Sequence, residues 1–288
     1  MNGPTTNQGA LLTVDDLTVS FATAKGRADV VKNLSFSVPR GGALGIVGES
    51  GSGKSMTSLA VMGLLPKGGS ATGRISFDGR ELTALPEREM RGVRGDRIAM
   101  IFQDPLSSLN PYYKVGTQIV EAYLSHRSGV SRREARRVAI EALERVHIRD
   151  AAQRIDHYPH QFSGGMRQRI MIAMALSMEP DLIIADEPTT ALDVTVQAQI
   201  LDLLSEIRQD TGASLILITH DLAVVSEVTD DIVVMREGAV VEQGTTEQVF
   251  SDPQADYTRR LLDAVPRIDD EIGTLRTTAI PTATGGTR

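Results

Sequence analysis

A chain of 288 residues with a hydrophobic fraction of 41% and a formal net charge of −7 can bury the core of one large or two modest domains, and that charge provides no bulk drive toward nucleic acid. It contains no cysteine, which excludes disulfides, thiolate zinc sites, cysteine-ligated iron–sulfur clusters and cysteine nucleophiles. Residues 1–10 lack the basic-then-apolar order of a leader and read as a flexible N-terminus, and no apolar run is long enough to span a bilayer, so membrane association is expected only through a partner.

Residues 11–21 and 30–38 read as strands. The apolar run 44–47 supplies a buried strand that leads into Gly48-Glu49-Ser50-Gly51-Ser52-Gly53-Lys54-Ser55, the GxxxxGKS spacing of a phosphate-binding P-loop. Its glycines let backbone N–H groups converge on phosphate oxygens, and the helix that follows aims its N-terminal dipole at the same anion. Lys54 is expected at the β- and γ-phosphates of a nucleoside triphosphate and Ser55 at Mg²⁺. That helix spans 54–65, ended by Pro66, and 73–77 with Asp78-Gly79 reads as a hairpin arm and its turn. A short apolar strand covers 97–102.

From about 104 to 178 the pattern is mostly helical, a subdomain inserted between strands, and within it 131–146 begins with Ser131 and Glu134 spaced as a capping box. Strand signals return at 182–185, 214–219 and 231–235, with a helix over 195–208; strand-helix-strand alternation implies a parallel α/β sheet. Beyond Pro266 the Thr-, Gly- and Pro-rich composition reads as a poorly ordered tail. There is no internal repeat.

The run Leu182-Ile183-Ile184-Ala185-Asp186-Glu187 puts Asp186 at the C-terminal end of a buried strand, the edge where open α/β sheets bind ligands. Asp186 suits a role in holding Mg²⁺, and Glu187 one in orienting and deprotonating water. Ser163-Gly164-Gly165-Met166 opens another helix. On local grounds a plain capped helix is the simpler reading there, and an anion site at the helix N-terminus is the alternative.

Taken in order, GESGSGKS, Phe102-Gln103-Asp104-Pro105, Phe162-Ser163-Gly164-Gly165-Met166, LIIADEPT, Ala191-Leu192-Asp193 and Ile218-Thr219-His220-Asp221 closely resemble the ATPase subunit of an ATP-binding cassette (ABC) transporter, over about 11–266. The resemblance implies an α/β fold: a P-loop NTPase with a RecA-like parallel sheet core, an antiparallel β lobe and the inserted helical subdomain. It divides the chain into an ABC ATPase domain at 11–250 and a C-terminal extension at 251–288. It implies that Phe21 stacks on adenine and that Gln103 joins the Mg²⁺ and water site to the transport channel. Ser163, Gly164 and Gly165 would contact the γ-phosphate held by another subunit. Asp193 would lie at the subunit junction, and His220 would contact the γ-phosphate in its own site. The signature has Phe162 and Met166 where Leu and Gln are commonest, changes that spare the serine and glycines.

IFQDPLSSLNP, Tyr158-Pro159-His160-Gln161 before the signature, and YTRRLLDAVPR resemble the oligopeptide, dipeptide and nickel importer branch, with Gln254-Ala255-Asp256-Tyr257 replacing the usual His-Pro-Tyr. This implies uptake of peptides or related solutes and a position at the cytoplasmic face of the cell membrane. The implied partners are a second ATPase subunit, by family habit a paralogue, two integral membrane permease subunits and, indirectly, an extracytoplasmic solute-binding protein; nucleic acid is not among them. Some relatives hold an iron–sulfur cluster through cysteines in the extension, which this chain lacks. The resemblance implies hydrolysis, with Glu187 activating water and Lys54, Mg²⁺ and His220 stabilising charge on the transferring phosphoryl group. The alternative function is a soluble ABC-type ATPase on ribosomes or DNA, disfavoured because one cassette with no coiled-coil insertion is present. His157 and His160 read as packing residues, Arg132, Arg133, Arg136 and Arg137 as a solvated helix face, and Met166, Met171, Met174 and Met178 as core filler.

Overall fold

The computed structural model describes residues 9–24, 26–104, 108–190 and 192–264. The expected N-terminal flexibility before residue 9, the tail beyond 264, Pro105 and Ala191 lie outside the described residues. Strands β1 (Ala10–Thr23) and β2 (Gly26–Pro39) pair antiparallel, and β3 (Ala43–Val47) begins a second sheet. Next, β4 (Gly69–Phe77) returns to pair with β1 and turns through Asp78-Gly79 into β5 (Arg80–Glu81), as the hairpin signal implies. The strands β6 (Ile98–Ile101), β7 (Leu182–Asp186), β8 (Ser214–Thr219) and β9 (Asp231–Arg236) join β3 in parallel, in the order β9-β3-β8-β7-β6; β10 (Ala239–Thr245) pairs antiparallel with β9.

β3, β7 and β8 are buried along their whole length, which is why they read as unbroken apolar runs. Alternate side chains serve two cores. Ile183, Ala185, Leu215 and Leu217 face a cluster with the helical subdomain, and Leu182, Ile184, Ile216 and Ile218 face one shared with β1, β2 and β4.

Helix α1 spans Lys54–Val61 and stops short of the expected 65. Gly63 takes φ 61°, its N–H bonds to Ala60 O at 3.0 Å and the Leu64 N–H to Leu59 O at 2.8 Å, a Schellman closure that ends the helix before Pro66 acts. Helix α2 (Glu87–Val93) precedes β6, and the inserted block contains α3 (Val115–His126), α4 (Arg132–Arg145), α5 (Ala151–Arg154) and α6 (Gly164–Leu176). Only half of the expected capping box forms at α4. Ser131 Oγ accepts the Glu134 N–H at 3.2 Å, while the Glu134 carboxylate turns to Arg137, whose guanidinium lowers its pKa. The basic face of α4 is paired as well as solvated, with Arg132 on Glu121 at 2.8 Å and Arg136 on Asp156 at 2.6 Å.

Helix α7 (Val194–Thr211) is capped by Asp193, which accepts the Val196 N–H at 3.0 Å, and ends at Gly212. The chain then forms α8 (Leu222–Val228), α9 (Thr246–Ser251) and α10 (Asp256–Asp263). Among the described residues, no helix is long and apolar enough to cross a membrane.

Candidate nucleotide site

The sheet order assembles the site. β3, β8, β7 and β6 are consecutive parallel neighbours, so the residues that follow them emerge at one edge: the P-loop after β3, His220 after β8, Asp186 and Glu187 at the end of β7, Gln103 after β6. These strand ends surround a cleft of about 730 Å³ lined by the loop residues Glu49, Ser50, Gly51, Ser52, Gly53, Lys54 and Ser55, together with Val30, Met56, Gln103, Glu187, His220 and Leu261.

Gly48 adopts φ 152°, and a Cβ there would fall 2.1 Å from the Met235 carbonyl oxygen, so only glycine lets the loop leave β3 beside β9. Glu49, Ser50 and Gly51 are exposed, whereas Ser52 and Lys54 are buried. Lys54 Nζ donates to the carbonyls of Gly48 at 2.7 Å and Glu49 at 3.0 Å, which uses two of its three N–H bonds and braces the loop from beneath. Burial lowers its pKa against the opposing pull of the Glu187 and Asp186 charges, leaving an under-solvated cation where an anion would dock.

Three further features fit a polyphosphate: Gly53 precedes helix α1 with no side-chain cap, the Ser52 hydroxyl is buried without a partner, and space is open around Gly51. Ser55 Oγ donates to Asp186 Oδ1 at 3.0 Å. Burial raises the Asp186 pKa, outweighing the Ser55 bond and the Lys54 charge, and the neighbouring Glu187 charge adds to the rise. With the Gln103 amide, Ser55 and Asp186 make an all-oxygen donor set of the kind Mg²⁺ takes.

Glu187 follows β7 in a left-handed conformation, φ 47°, fixed by its own N–H on Ile218 O at 2.8 Å. Among the described non-glycine residues with positive φ, Glu187 alone lines this cleft. Its Oε2 accepts the Gln103 amide and the Thr190 hydroxyl, each at 2.9 Å, and lies 3.7 Å from His220 Nδ1.

The remaining expected residues lie elsewhere in the chain. Phe21 sits on β1 with its ring over Gly69 and packs against the core beneath, apart from the residues that line the cleft. Ser163 caps α6 by accepting the Met166 N–H; Ser163 and Gly164 are exposed, and none of Ser163, Gly164 and Gly165 lines this chain's own cleft. His157 packs on Phe162 with ring centroids 5.9 Å apart, whereas His160 is exposed and stacks on Tyr158 instead of entering the core. Met171 and Met178 are buried as expected, Met166 and Met174 partly so. Sequence reasoning missed Thr190 as a partner of Glu187, and Tyr257, whose hydroxyl accepts the Glu49 N–H at 3.2 Å. Thr190 stood two residues after the Glu187-Pro188 step; Tyr257 was visible only as part of a branch motif.

A P-loop ATPase core with an inserted helical block is what fold and site together define. A family model described as "ABC transporter" matches residues 31–190, and the chain belongs to that family. A second, "Oligopeptide/dipeptide transporter, C-terminal region", matches 241–284. The chain is 51% identical over 261 residues to the oligopeptide transport ATP-binding protein OppD of Salmonella typhimurium, spanning 91% of this chain and 78% of that protein. It is 52% identical over 261 residues to the dipeptide transport ATP-binding protein DppD of Bacillus subtilis, spanning 90% and 78%. Among solved structures, the dimeric ATP-binding cassette MJ0796 in a post-hydrolysis state bound to ADP and Pi superposes with a TM-score of 0.72 at 27% identity, over 82% of this chain and 98% of the other. These relatives lend no support to an ATPase of ribosomes or DNA.

Proposed function

We propose that the chain is the ATP-hydrolysing subunit of an importer that takes up di- or oligopeptides or related solutes, peripheral to the membrane at its cytoplasmic face. The observation that carries the chemistry is the convergence of the P-loop, Gln103, Glu187 and His220 on one cleft, with buried Asp186 hydrogen-bonded to Ser55 of its lining. The peptide assignment is supported by the relatives' transport roles and by the C-terminal match at 241–284.

ATP lies with its phosphates along residues 48–55, where Lys54 and the loop N–H groups offset their charge. Ser55, Asp186 and Gln103 would hold Mg²⁺, which when bound would neutralise charge on the β- and γ-phosphates. Glu187 orients a water and takes its proton, its carboxylate steadied by Gln103 and Thr190. His220, at the mouth of the cleft, donates to the γ-phosphoryl oxygens. Phe21 supplies an aromatic face for adenine. Ser163, Gly164 and Gly165 serve the nucleotide of a second ATPase subunit, a paralogue, in head-to-tail arrangement; two permease subunits and an extracytoplasmic solute-binding protein complete the transporter. The cassette is residues 11–250 with its helical subdomain at about 104–178, and 251–288 form an importer-type extension.

Affinity purification from detergent-solubilised membranes, with mass spectrometry of what accompanies the chain, tests this reading. Two integral membrane proteins and a second ATPase are expected. Ribosomal or DNA-associated proteins without a membrane subunit would overturn the importer assignment and leave the ATPase chemistry standing.

A further inference from the structure

Helix α10 meets the P-loop from about two hundred residues further along the chain. Tyr257 is 7% exposed, and its hydroxyl oxygen accepts the Glu49 N–H at 3.2 Å. Its ring lies beneath the Arg236 guanidinium, 5.0 Å from the centroid, and packs in one cluster with Val47, the last residue of β3, and with Leu222. One turn on, Leu261 joins the lining of the nucleotide cleft. A second tie comes from the β9–β10 turn, where the Gly238 N–H donates to Ser52 O at 3.1 Å.

The helix that carries Tyr257 is itself fastened. Glu242 on β10 accepts the N–H groups of Gln254 and Ala255 at 2.7 and 3.0 Å, just before α10 begins. The loop that cradles phosphate is thus held at both limbs by residues 236–261, which lie outside the GxxxxGKS motif. Glu49 is exposed, and without Tyr257 its N–H would turn to solvent and this loop residue would be held only through its carbonyl, by Lys54 and the Ser52 N–H.

We propose that Tyr257 is a positioning residue for the P-loop, so that nucleotide affinity depends on the docking of α10 as well as on the motif itself. This rests on the nucleotide-binding reading above. A phosphate-binding loop works through N–H groups already aimed before the ligand arrives, and each part left free to turn must be ordered on binding, which weakens affinity. Tyr257→Phe keeps the ring, its packing and the Arg236 contact and removes only the hydroxyl, which accepts the Glu49 N–H and also meets the Glu49 side chain.

The test is ADP titration by calorimetry and steady-state ATPase kinetics on the full chain, wild type beside Tyr257→Phe. Loosening the first limb of the loop predicts an ADP Kd and an ATP KM each raised about fivefold with kcat unmoved, and loss of a hydrogen bond of ordinary strength a melting temperature lower by about 2–4 °C. Wild-type affinity in the variant overturns the role of Tyr257 and leaves the nucleotide reading intact, as does a fall in kcat at unchanged KM. Failure of the wild type to bind ADP overturns both. The chain has no tryptophan, so Leu261→Trp adds a lone indole at the cleft rim. Its emission should shift on ADP addition, and an unresponsive signal at saturating ADP would remove α10 from the cleft.

Discussion

Gln103 and Glu187, 84 residues apart in sequence, meet through a 2.9 Å hydrogen bond that ties the segment after β6 to the end of β7 over the nucleotide cleft. The bond runs from the Gln103 amide to Glu187 Oε2, the atom that also accepts the Thr190 hydroxyl. Glu187→Gln keeps an oxygen for both donors and removes the carboxylate proposed as the base. Turnover should fall by about 10²- to 10⁴-fold with ATP affinity preserved, and an ATP-bound dimer should accumulate on size exclusion. Undiminished phosphate release by that variant would sink the role given to Glu187.

His220 lies 3.7 Å from Glu187 with 62% of its side chain exposed, so the fold asks little of it. His220→Ala should leave the melting temperature within about 1 °C, since exposed side chains away from packed contacts contribute little. Turnover should nevertheless drop about 10²- to 10³-fold, the cost of one preorganised donor at developing charge. Equal losses of stability and turnover would mark His220 as structural.

How much of this was legible in the sequence depended on how local each interaction is. The strand-loop-helix frame of the P-loop was legible because its signal is a fixed spacing after a buried strand, and β3, the loop and α1 follow in that order. Asp186 was legible as the end of an apolar run. Strand order was not, since pairing β3 between β9 and β8 joins segments nearly two hundred residues apart. The end of α1 was misread because Pro66 is the louder signal, yet Gly63 closes the helix first. The capping box at α4 was half right because Arg137, three residues beyond Glu134, competes for its carboxylate. Thr190 and Tyr257 escaped notice because their roles are long-range or side-chain contacts that no motif spells out.

Arg94 links α2 to the end of the P-loop helix. Its Nε donates to Met62 O at 2.7 Å, and its guanidinium bonds both oxygens of Glu87 at 2.8 Å. The Arg94 hydrogen bonds outweigh the opposing desolvation and, helped by the Arg94 charge and by Arg91, hold the Glu87 pKa at about 2, below its ordinary 4.5. A carboxylate depressed in the folded state adds stability that is complete above its unfolded pKa and is lost as pH falls through the folded one. The stability difference between wild type and Glu87→Gln should therefore be flat above about pH 5 and shrink toward pH 2, as thermal melts across that range would show. Arg94→Ala also leaves the Met62 carbonyl without its donor, so at pH 7 it should lower the melting temperature further, by about 2–6 °C. Parallel behaviour of the two variants would mean that the helix-end contact adds nothing.

Gly165 sits where the signature turn meets α7, and a Cβ there would fall 2.5 Å from Val196 Cγ1. Two effects oppose each other on replacing it by alanine. Helix propensity favours alanine by about 1 kcal/mol in a helix interior, less in a first turn. Overlap disfavours it, and Val196 cannot swing aside cheaply because a β-branched side chain in a helix has one strongly preferred rotamer. The starts of α6 and α7 must then separate, and such overpacking costs about 1–3 kcal/mol, so destabilisation wins. Adding Val196→Ala removes the obstructing methyl groups and lets the propensity gain through, so the double variant should be more stable than Gly165→Ala alone. A double-mutant cycle by chemical denaturation should return a coupling of about 1 kcal/mol or more in the direction of rescue. If the two substitutions add without coupling, the contact between Gly165 and Val196 does not constrain the signature turn. If they couple, ATPase activity of the assembled complex should recover with stability, because Ser163 and Gly164 ride on the turn that Val196 supports.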